Sequence, residues 1–339
     1  MSQARQRSLP TWPPAWTAVL LALLALGLAA AGCDRSAPTA TACLVVEAPV
    51  PADPRAGMVW IPGGLVTMGA DAALPEERPE RQVAVDGFWI AVHEVTNREF
   101  AAFVAATGYV TLAEQVDPSG DQSRGGGGVF APGVTVRDWS GTSPWWRLDR
   151  HANWRQPGGA GTSITERPND PVVQLAYADA LAYARWRGHE LPSEAEWEMA
   201  ARGGLEGARY VWGDDVRPGG KIAANHHQGL FPFEDNAADG YAGRAPVGCF
   251  PANGFGLYDM AGNVWEWTTT AWGAQGAAQG LRVIKGGSFL CSDAFCHRYR
   301  PAARQPGDET FSTEHLGLRT VWRGPPPAEV ARSVARSVR

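Results

Sequence analysis

The sequence predicts an α+β fold in a single domain with little regular secondary structure. Three observations carry this expectation. The 339-residue chain holds 40 glycines and 26 prolines, which cut helices and strands into short pieces. It also holds 15 tryptophans, whose large apolar area lets irregular backbone pack. Between Met58 and Trp322 short strand patterns alternate with three helical ones, and no shift in composition marks a second domain.

The chain opens on a segment outside that domain. Arg5 and Arg7 give a positive start, and Ala18 to Ala31 is a 14-residue apolar run. That length is short for a membrane span and suits a signal peptide. It leads into Leu28-Ala29-Ala30-Ala31-Gly32-Cys33, which resembles a bacterial lipobox, with Ala30 where leucine is usual. Residues 1–33 therefore read as a lipoprotein-type signal peptide with Cys33 as the lipidated residue. Residues 34–57 read as a Pro/Ala-rich linker, 58–322 as the folded domain and 323–339 as a basic tail. The expectation is an exported, periplasmic protein that meets a bacterial membrane only through its N-terminal lipid. Disulfides persist in such a compartment. A formal net charge of −5 gives no support for nucleic-acid binding.

Within the domain, Met58 to Gly69 reads as two short strands around Pro62-Gly63-Gly64, and Val83 to Ile90 as another strand pair broken at Asp86-Gly87. Thr96 and Glu99 have capping-box spacing, so a helix is predicted to about Thr107, ended by Gly108. Gly125 to Gly128 lacks the Gly-Lys-Ser/Thr of a phosphate loop and reads as a flexible loop. Trp139, Trp145, Trp146 and Trp154 are either packing or the walls of a cleft. A second helix is predicted over Ala178 to Arg187, and a third from Ser193, capped by Glu196 and ended by Gly203-Gly204. Arg282 to Ser288 reads as a strand, and His315 to Trp322 as the closing strand.

The chemistry concentrates after Gly286-Gly287-Ser288, where Cys291 and Cys296 stand five positions apart. In an exported protein such a pair has three readings: a local disulfide, half of a metal site, or a redox-active pair. Two thiolates alone suit a soft ion of low coordination number, above all Cu(I). No Gly-x-Ser-x-Gly elbow, His-Glu-x-x-His or dinucleotide fingerprint is present. Asp239-Gly240-Tyr241 with Asn225 upstream, and Asp259 to Glu266, are oxygen-rich stretches. They fit either turns or calcium loops, since calcium takes carboxylate, amide and main-chain oxygens together.

Several of these segments together resemble the formylglycine-generating enzymes, or sulfatase-modifying factors. The residues are Trp60 to Gly64 with Thr67-Met68-Gly69, His93 to Phe100, Arg167-Pro168 with Pro171-Val172, Leu191 to Glu198, Asn253 to Trp267, and Lys285 to Arg300. The discriminating part is Gly-Gly-Ser-Phe-Leu-Cys-x4-Cys-His-Arg-Tyr-Arg, similar to the copper-dependent branch. The resemblance implies a formylglycine-generating enzyme fold resembling C-type lectins. It implies oxidation of a cysteine in Cys-x-Pro-x-Arg motifs of an unfolded sulfatase to Cα-formylglycine, with O2 and a thiol reductant, by a monomer. Cys291 and Cys296 would bind Cu(I), and Ser288 and Trp265 would line the oxygen pocket. One Ca2+ would take Asn225, Asp239 and the carbonyls of His226 and Tyr241. A second would take Asp259, Glu266 and the carbonyls of Gly262 and Val264, with Glu94 as a further calcium-linked residue. The alternatives are a non-catalytic lectin-like exported binding module of the same fold, or an oxidase of another thiol or amine.

Two departures stand out. His315 occupies a place where family members often carry asparagine, which puts an imidazole near the site and raises the question of pH dependence. Two disulfides found in some members are absent together, their places holding Ala184, Thr320, Pro301 and a residue near Ala200. A Cys43–Cys249 bridge tying the linker to the domain is the expected replacement.

Overall fold

The computed structural model describes residues 43–47, 53–115, 125–131, 145–273 and 279–328. The apolar run to Ala31, Cys33, most of the linker, Trp139 and the tail from 329 onward lie outside the described residues. No described helix is long and apolar enough to cross a membrane.

Strand β1 (Met58–Ile61) pairs antiparallel with β4 (Phe88–Ala91), and β2 (Gly64–Met68) with β3 (Arg81–Val85). The Pro62-Gly63-Gly64 corner is therefore no hairpin. The chain leaves one sheet for another there and returns at Asp86-Gly87. The two corners touch: a Cβ on Gly63 would stand 2.7 Å from both the Gly87 nitrogen and the Val85 oxygen, so only glycine fits.

Helix α1 (Asn97–Thr107) begins at Thr96, whose hydroxyl accepts from the Glu99 N–H while the Glu99 carboxylate accepts from the Thr96 N–H. It ends at left-handed Gly108. Helix α2 (Tyr177–Trp186) lies against it through Phe100, Phe103, Tyr183 and Trp186, with Trp154 on the same cluster. Helix α3 (Glu194–Arg202) has its own box, Ser193 with Glu196, and stops at left-handed Gly203. All three helices stand where capping and spacing predict them.

The four-glycine run is not a loop throughout. Gly127–Phe130 form β5, antiparallel to β6 (Trp146–Asp149). A Cβ on Gly127 would meet the Gln174 Oε1 atom and the Ser312 hydroxyl. Gly127 is needed because a buried glutamine and serine approach the backbone there, and not for mobility.

The sheet that carries the site has the order β10-β7-β8-β9. Its centre is β7 (Trp265–Ala271) against β8 (Leu281–Lys285), with β9 (Gln305–Asp308) beyond and β10 (Leu316–Gly317) parallel on the other edge. Strand β7 begins with four buried residues in succession, so it lacks the alternation that announces a strand. Strand β9 contains Pro306 and Gly307, poor strand formers. The predicted closing strand splits in two: β10 joins β7, Arg319 then turns inward, and β11 (Val321–Trp322) joins β4.

The described residues fall in one compact unit, 42–339, and Cys43 is bridged to Cys249 across 206 residues of chain. The Leu44 N–H donates to the Val247 carbonyl at 3.1 Å beside the bridge, and the Tyr241 hydroxyl donates to the Cys249 sulfur at 3.2 Å. A loop this long makes the crosslink effective, since it removes much of the freedom of the unfolded chain. Cys249→Ala is expected to lower unfolding free energy by about 2–5 kcal/mol. Urea denaturation under non-reducing conditions measures it, and a loss within experimental error would contradict the role.

Candidate active site and oxygen-rich loops

Strand β8 delivers the chain into Gly286-Gly287-Ser288. Gly287 has φ +76°, and a Cβ there would stand 2.8 Å from the Tyr299 nitrogen. The glycine thus lets the outgoing and returning limbs of the cysteine segment lie against each other. The buried Ser288 caps the turn: its carbonyl accepts from the Cys291 N–H at 2.9 Å and its hydroxyl from the Leu290 N–H at 3.3 Å. The structure joins Cys291 to Cys296 as a disulfide, with Cα atoms 5.0 Å apart. This is the first of the three readings, and it brings the two sulfurs to one place. Cys291 is buried, Cys296 half-buried and the intervening Phe295 exposed. Trp265, at the start of β7, belongs to the same buried cluster as Cys291 and Tyr299.

Aromatic rings wall the segment on two sides. Phe295 stacks on Phe231 at 4.2 Å and meets Trp145 edge-on at 5.0 Å. Tyr299 stacks on His226 at 4.5 Å, and its hydroxyl donates to the Asp293 carboxylate. Burial raises the Tyr299 phenol, and the Asp293 carboxylate beside it keeps it protonated. Of the described tryptophans in question, Trp145 flanks the site, Trp146 meets His315, and Trp154 is core packing.

His315 stands edge-on to Trp146 at 4.7 Å and shares a hydrogen with the Thr313 hydroxyl at 2.7 Å. Burial pushes its imidazole down to about 3. It is therefore neutral around pH 7 and does not switch there. The linkage has a clear sign. The unfolded chain takes up a proton below about 6.5 that the folded one refuses, so this contribution to stability is complete above 6.5 and is lost as pH falls toward 3. His189, pushed down to about 4 by burial, adds to it. His315→Asn is expected to lose less stability than the parent between pH 7 and pH 4, by on the order of 1–3 kcal/mol in urea unfolding. Parallel losses in the two proteins would refute this.

The first oxygen-rich loop gathers around Asn225. Its Nδ2 donates to the Gly243 carbonyl at 2.8 Å and to Asn263 Oδ1 at 3.0 Å, while its Oδ1 is buried without a partner. The Asp239 carboxylate accepts from the N–H groups of His226 and Tyr241. Gln228 Nε2 donates to both Asp239 and the His226 carbonyl, so a single amide stands among several acceptors. An orphaned buried amide oxygen on the residue before His226, whose N–H holds the Asp239 carboxylate, fits a hard cation.

The second loop carries Asp259 and Asn263 in left-handed backbone, with Gly262 between them. A Cβ on Gly262 would collide with the Asn225 carbonyl, and the Asn263 N–H donates to that carbonyl, so the two loops are joined. The Asp259 carboxylate accepts from the Gly248 N–H at 2.6 Å. Glu94 accepts from Asn263 Nδ2 at 3.0 Å and the Val264 N–H at 3.3 Å. Glu266 accepts from Trp197 Nε1 at 2.6 Å and, through both oxygens, from Arg319. Burial, with Asp259 and Glu266 beside it, raises Glu94 well above the usual carboxylate range, and burial lifts Asp259 to about 6. Three buried carboxyl groups thus share one guanidinium, and the upward push on Glu94 and Asp259 marks a place where a divalent cation would compete with the proton. Among the described residues no three His, Cys, Asp or Glu side chains hold an ion by themselves, so backbone and amide oxygens must complete any such site. Sequence reasoning passes over Asn263, Arg319, Glu77 and Arg300 as individual residues. Asn263 lies inside the quoted Gly-Asn-Val-Trp-Glu-Trp stretch, which is the available signal.

A lectin-like scaffold of short strands, presenting a Gly-Gly-Ser-led cysteine pair beside two oxygen-rich loops, defines a sulfatase-modifying-factor type of domain. The chain belongs to the formylglycine-generating enzyme family: residues 45–324 match the sulfatase-modifying factor enzyme 1-like domain. The formylglycine-generating enzyme of Mycobacterium tuberculosis is 47% identical over 293 residues, covering 78% of this chain and 97% of that one. A mouse relative named inactive Cα-formylglycine-generating enzyme 2 is 40% identical over 282 residues, covering 80% and 87%. Among solved structures, PvdO from Pseudomonas aeruginosa aligns with a TM-score of 0.54 at 25% identity, covering 78% of this chain and 93% of that chain.

Proposed function

We infer that this chain oxidises a cysteine in a Cys-x-Pro-x-Arg segment of an unfolded sulfatase to Cα-formylglycine, using O2 and a thiol reductant. The single observation that carries the reading is the Cys291–Cys296 pair, held together behind Gly-Gly-Ser at the edge of the buried core. Family membership alone does not decide activity, because one relative is named inactive. A lectin-like binding module of this fold would need the pair only as a structural bridge, and the similarity to relatives named formylglycine-generating enzyme weighs against that alternative.

Once reduced, Cys291 and Cys296 would hold Cu(I), whose soft, low-coordinate preference suits two thiolates and which would supply the redox chemistry toward O2. The chain's own part is to orient and exclude. Ser288 shapes the turn that aims Cys291, buried Trp265 belongs to the wall behind it, and exposed Phe295 marks the open side by which a polypeptide arrives. The reaction balances as cysteine, O2, two electrons and two protons giving aldehyde, hydrogen sulfide and water. The reductant supplies those electrons, and it also opens the disulfide.

Asn225, Asp239 and the carbonyls of His226 and Tyr241 would hold one Ca2+. Asp259, Glu266 and the carbonyls of Gly262 and Val264 would hold a second, with Glu94 against the same loop. Their task is structural, since the His227 N–H donates to the Cys291 carbonyl at 2.8 Å, one residue along from His226. The apolar run and Cys33 support export and lipid anchoring in the periplasm, where a monomer would meet sulfatases before they fold.

The test is turnover. Domain 43–328, supplied with Cu(I), Ca2+, O2, reductant and a Cys-x-Pro-x-Arg peptide, is expected to yield an aldehyde detected by mass and by hydrazine trapping. No aldehyde under these conditions would refute the proposed activity.

A further inference from the structure

The cysteine segment returns through an unusual piece of backbone. Cys296 has φ 75° and His297 φ 47°, two successive non-glycine residues in the left-handed region. Such conformations are disfavoured and persist only where the surroundings enforce them. Part of the enforcement is local: the His297 N–H donates to the Ser292 and Phe295 carbonyls. Part comes from across the molecule. Arg300 Nε donates to the His297 carbonyl at 2.9 Å. The remaining face of its guanidinium is held by Glu77, with Nη1 to Oε2 at 3.2 Å and Nη2 to Oε1 at 2.5 Å. Glu77 is itself held in place, because its Oε2 accepts from the N–H groups of Ala73 and Leu74 at 2.7 and 3.2 Å. Arg300 and Glu77 are 1% and 2% exposed, so the pair is shielded from water.

We propose that Arg300, locked by Glu77, is the positioning residue that holds the Cys296–His297 turn so that the Cys296 sulfur faces Cys291. The argument is one of geometry. A disulfide or a two-thiolate site forms in proportion to the effective concentration of one sulfur at the other. The fork of a guanidinium can grip a carboxylate and a carbonyl at fixed angles, which an ammonium cannot. The inference goes beyond the proposed oxidation and concerns only this chain's residues, so it stands or falls without copper or a sulfatase.

The experiment uses the full-length chain and its second bridge, Cys43–Cys249, as an internal reference. The protein is equilibrated across a glutathione redox series. Free thiols are then alkylated, and each cysteine pair is read separately by peptide mass spectrometry. In Arg300→Lys and in Glu77→Gln, the Cys291–Cys296 pair is expected to close about tenfold less readily, while Cys43–Cys249 keeps the parent midpoint. A shift of both bridges together would make the ion pair a general support of the fold and overturn the proposal. So would no shift at either bridge, or loss of folding by both variants. If the selective shift appears but no aldehyde is ever made, the positioning role survives and the proposed oxidation does not.

Discussion

Cys291→Ser or Cys296→Ser is expected to lower aldehyde formation by on the order of a thousandfold or more, with little change in unfolding when parent and variants are compared under reducing conditions, where the Cys291–Cys296 bridge is open in all of them. Serine nearly preserves the volume, so the packing around Cys291 in the core cluster is kept. What is lost is the soft, easily ionised sulfur, for which an alcohol is no substitute as a ligand to a soft ion or as a partner in disulfide exchange. The two variants should fail alike, because each leaves a single thiolate where the proposed site would use two. The measurement is initial rate by hydrazine trapping, with urea unfolding in parallel. Substantial activity in either variant would sink the two-thiolate reading, and a collapse of stability in both would leave the rate loss explained by misfolding.

Replacing Arg319 with methionine is expected to cost about 3–5 kcal/mol of stability, because it strips a buried ion pair of one partner. Arg319 is fully buried and directs its donors to Glu266, the Ala91 carbonyl and the Tyr258 carbonyl. Removing it leaves Glu94, Asp259 and Glu266 facing one another with no counter-charge, and strands two carbonyls. The same surplus charge should make the variant depend more on Ca2+ than the parent does. Chelation is therefore expected to lower its unfolding midpoint further than it lowers the parent's. Urea unfolding with and without chelator checks both parts. A cost below about 1 kcal/mol would contradict the role given to this ion pair.

Much of the fold and of the candidate site is legible in the amino-acid sequence. Thr96 with Glu99 and Ser193 with Glu196 specify helix starts by local hydrogen bonds, and Gly108 and Gly203 specify the ends by a backbone conformation that other residues avoid. The irregular, aromatic-rich character follows from composition. The cysteine pair and the oxygen-rich loops are visible as residue types at short spacing, and the Gly-Gly-Ser lead-in marks where they are presented.

Other features are not legible there, and each has the same cause. Whether Gly127 lies in a loop or a strand depends on Gln174 and Ser312, distant in the chain. Whether β1 pairs with its neighbour or with β4 depends on how the Gly63 and Gly87 corners meet. His315 raises the question of pH dependence by its type, yet burial holds it neutral. Glu77 and Arg300 are ordinary charged residues 223 positions apart until the fold encloses both and sets them on the His297 carbonyl. By itself, then, the sequence determined what is encoded in short range: the caps, the turns, the fold class and the Gly-Gly-Ser-led cysteine pair. Only the tertiary structure decided strand partners, protonation and what holds Cys296 in place, because pairing, desolvation and buried charge are properties of groups that the chain brings together from far apart.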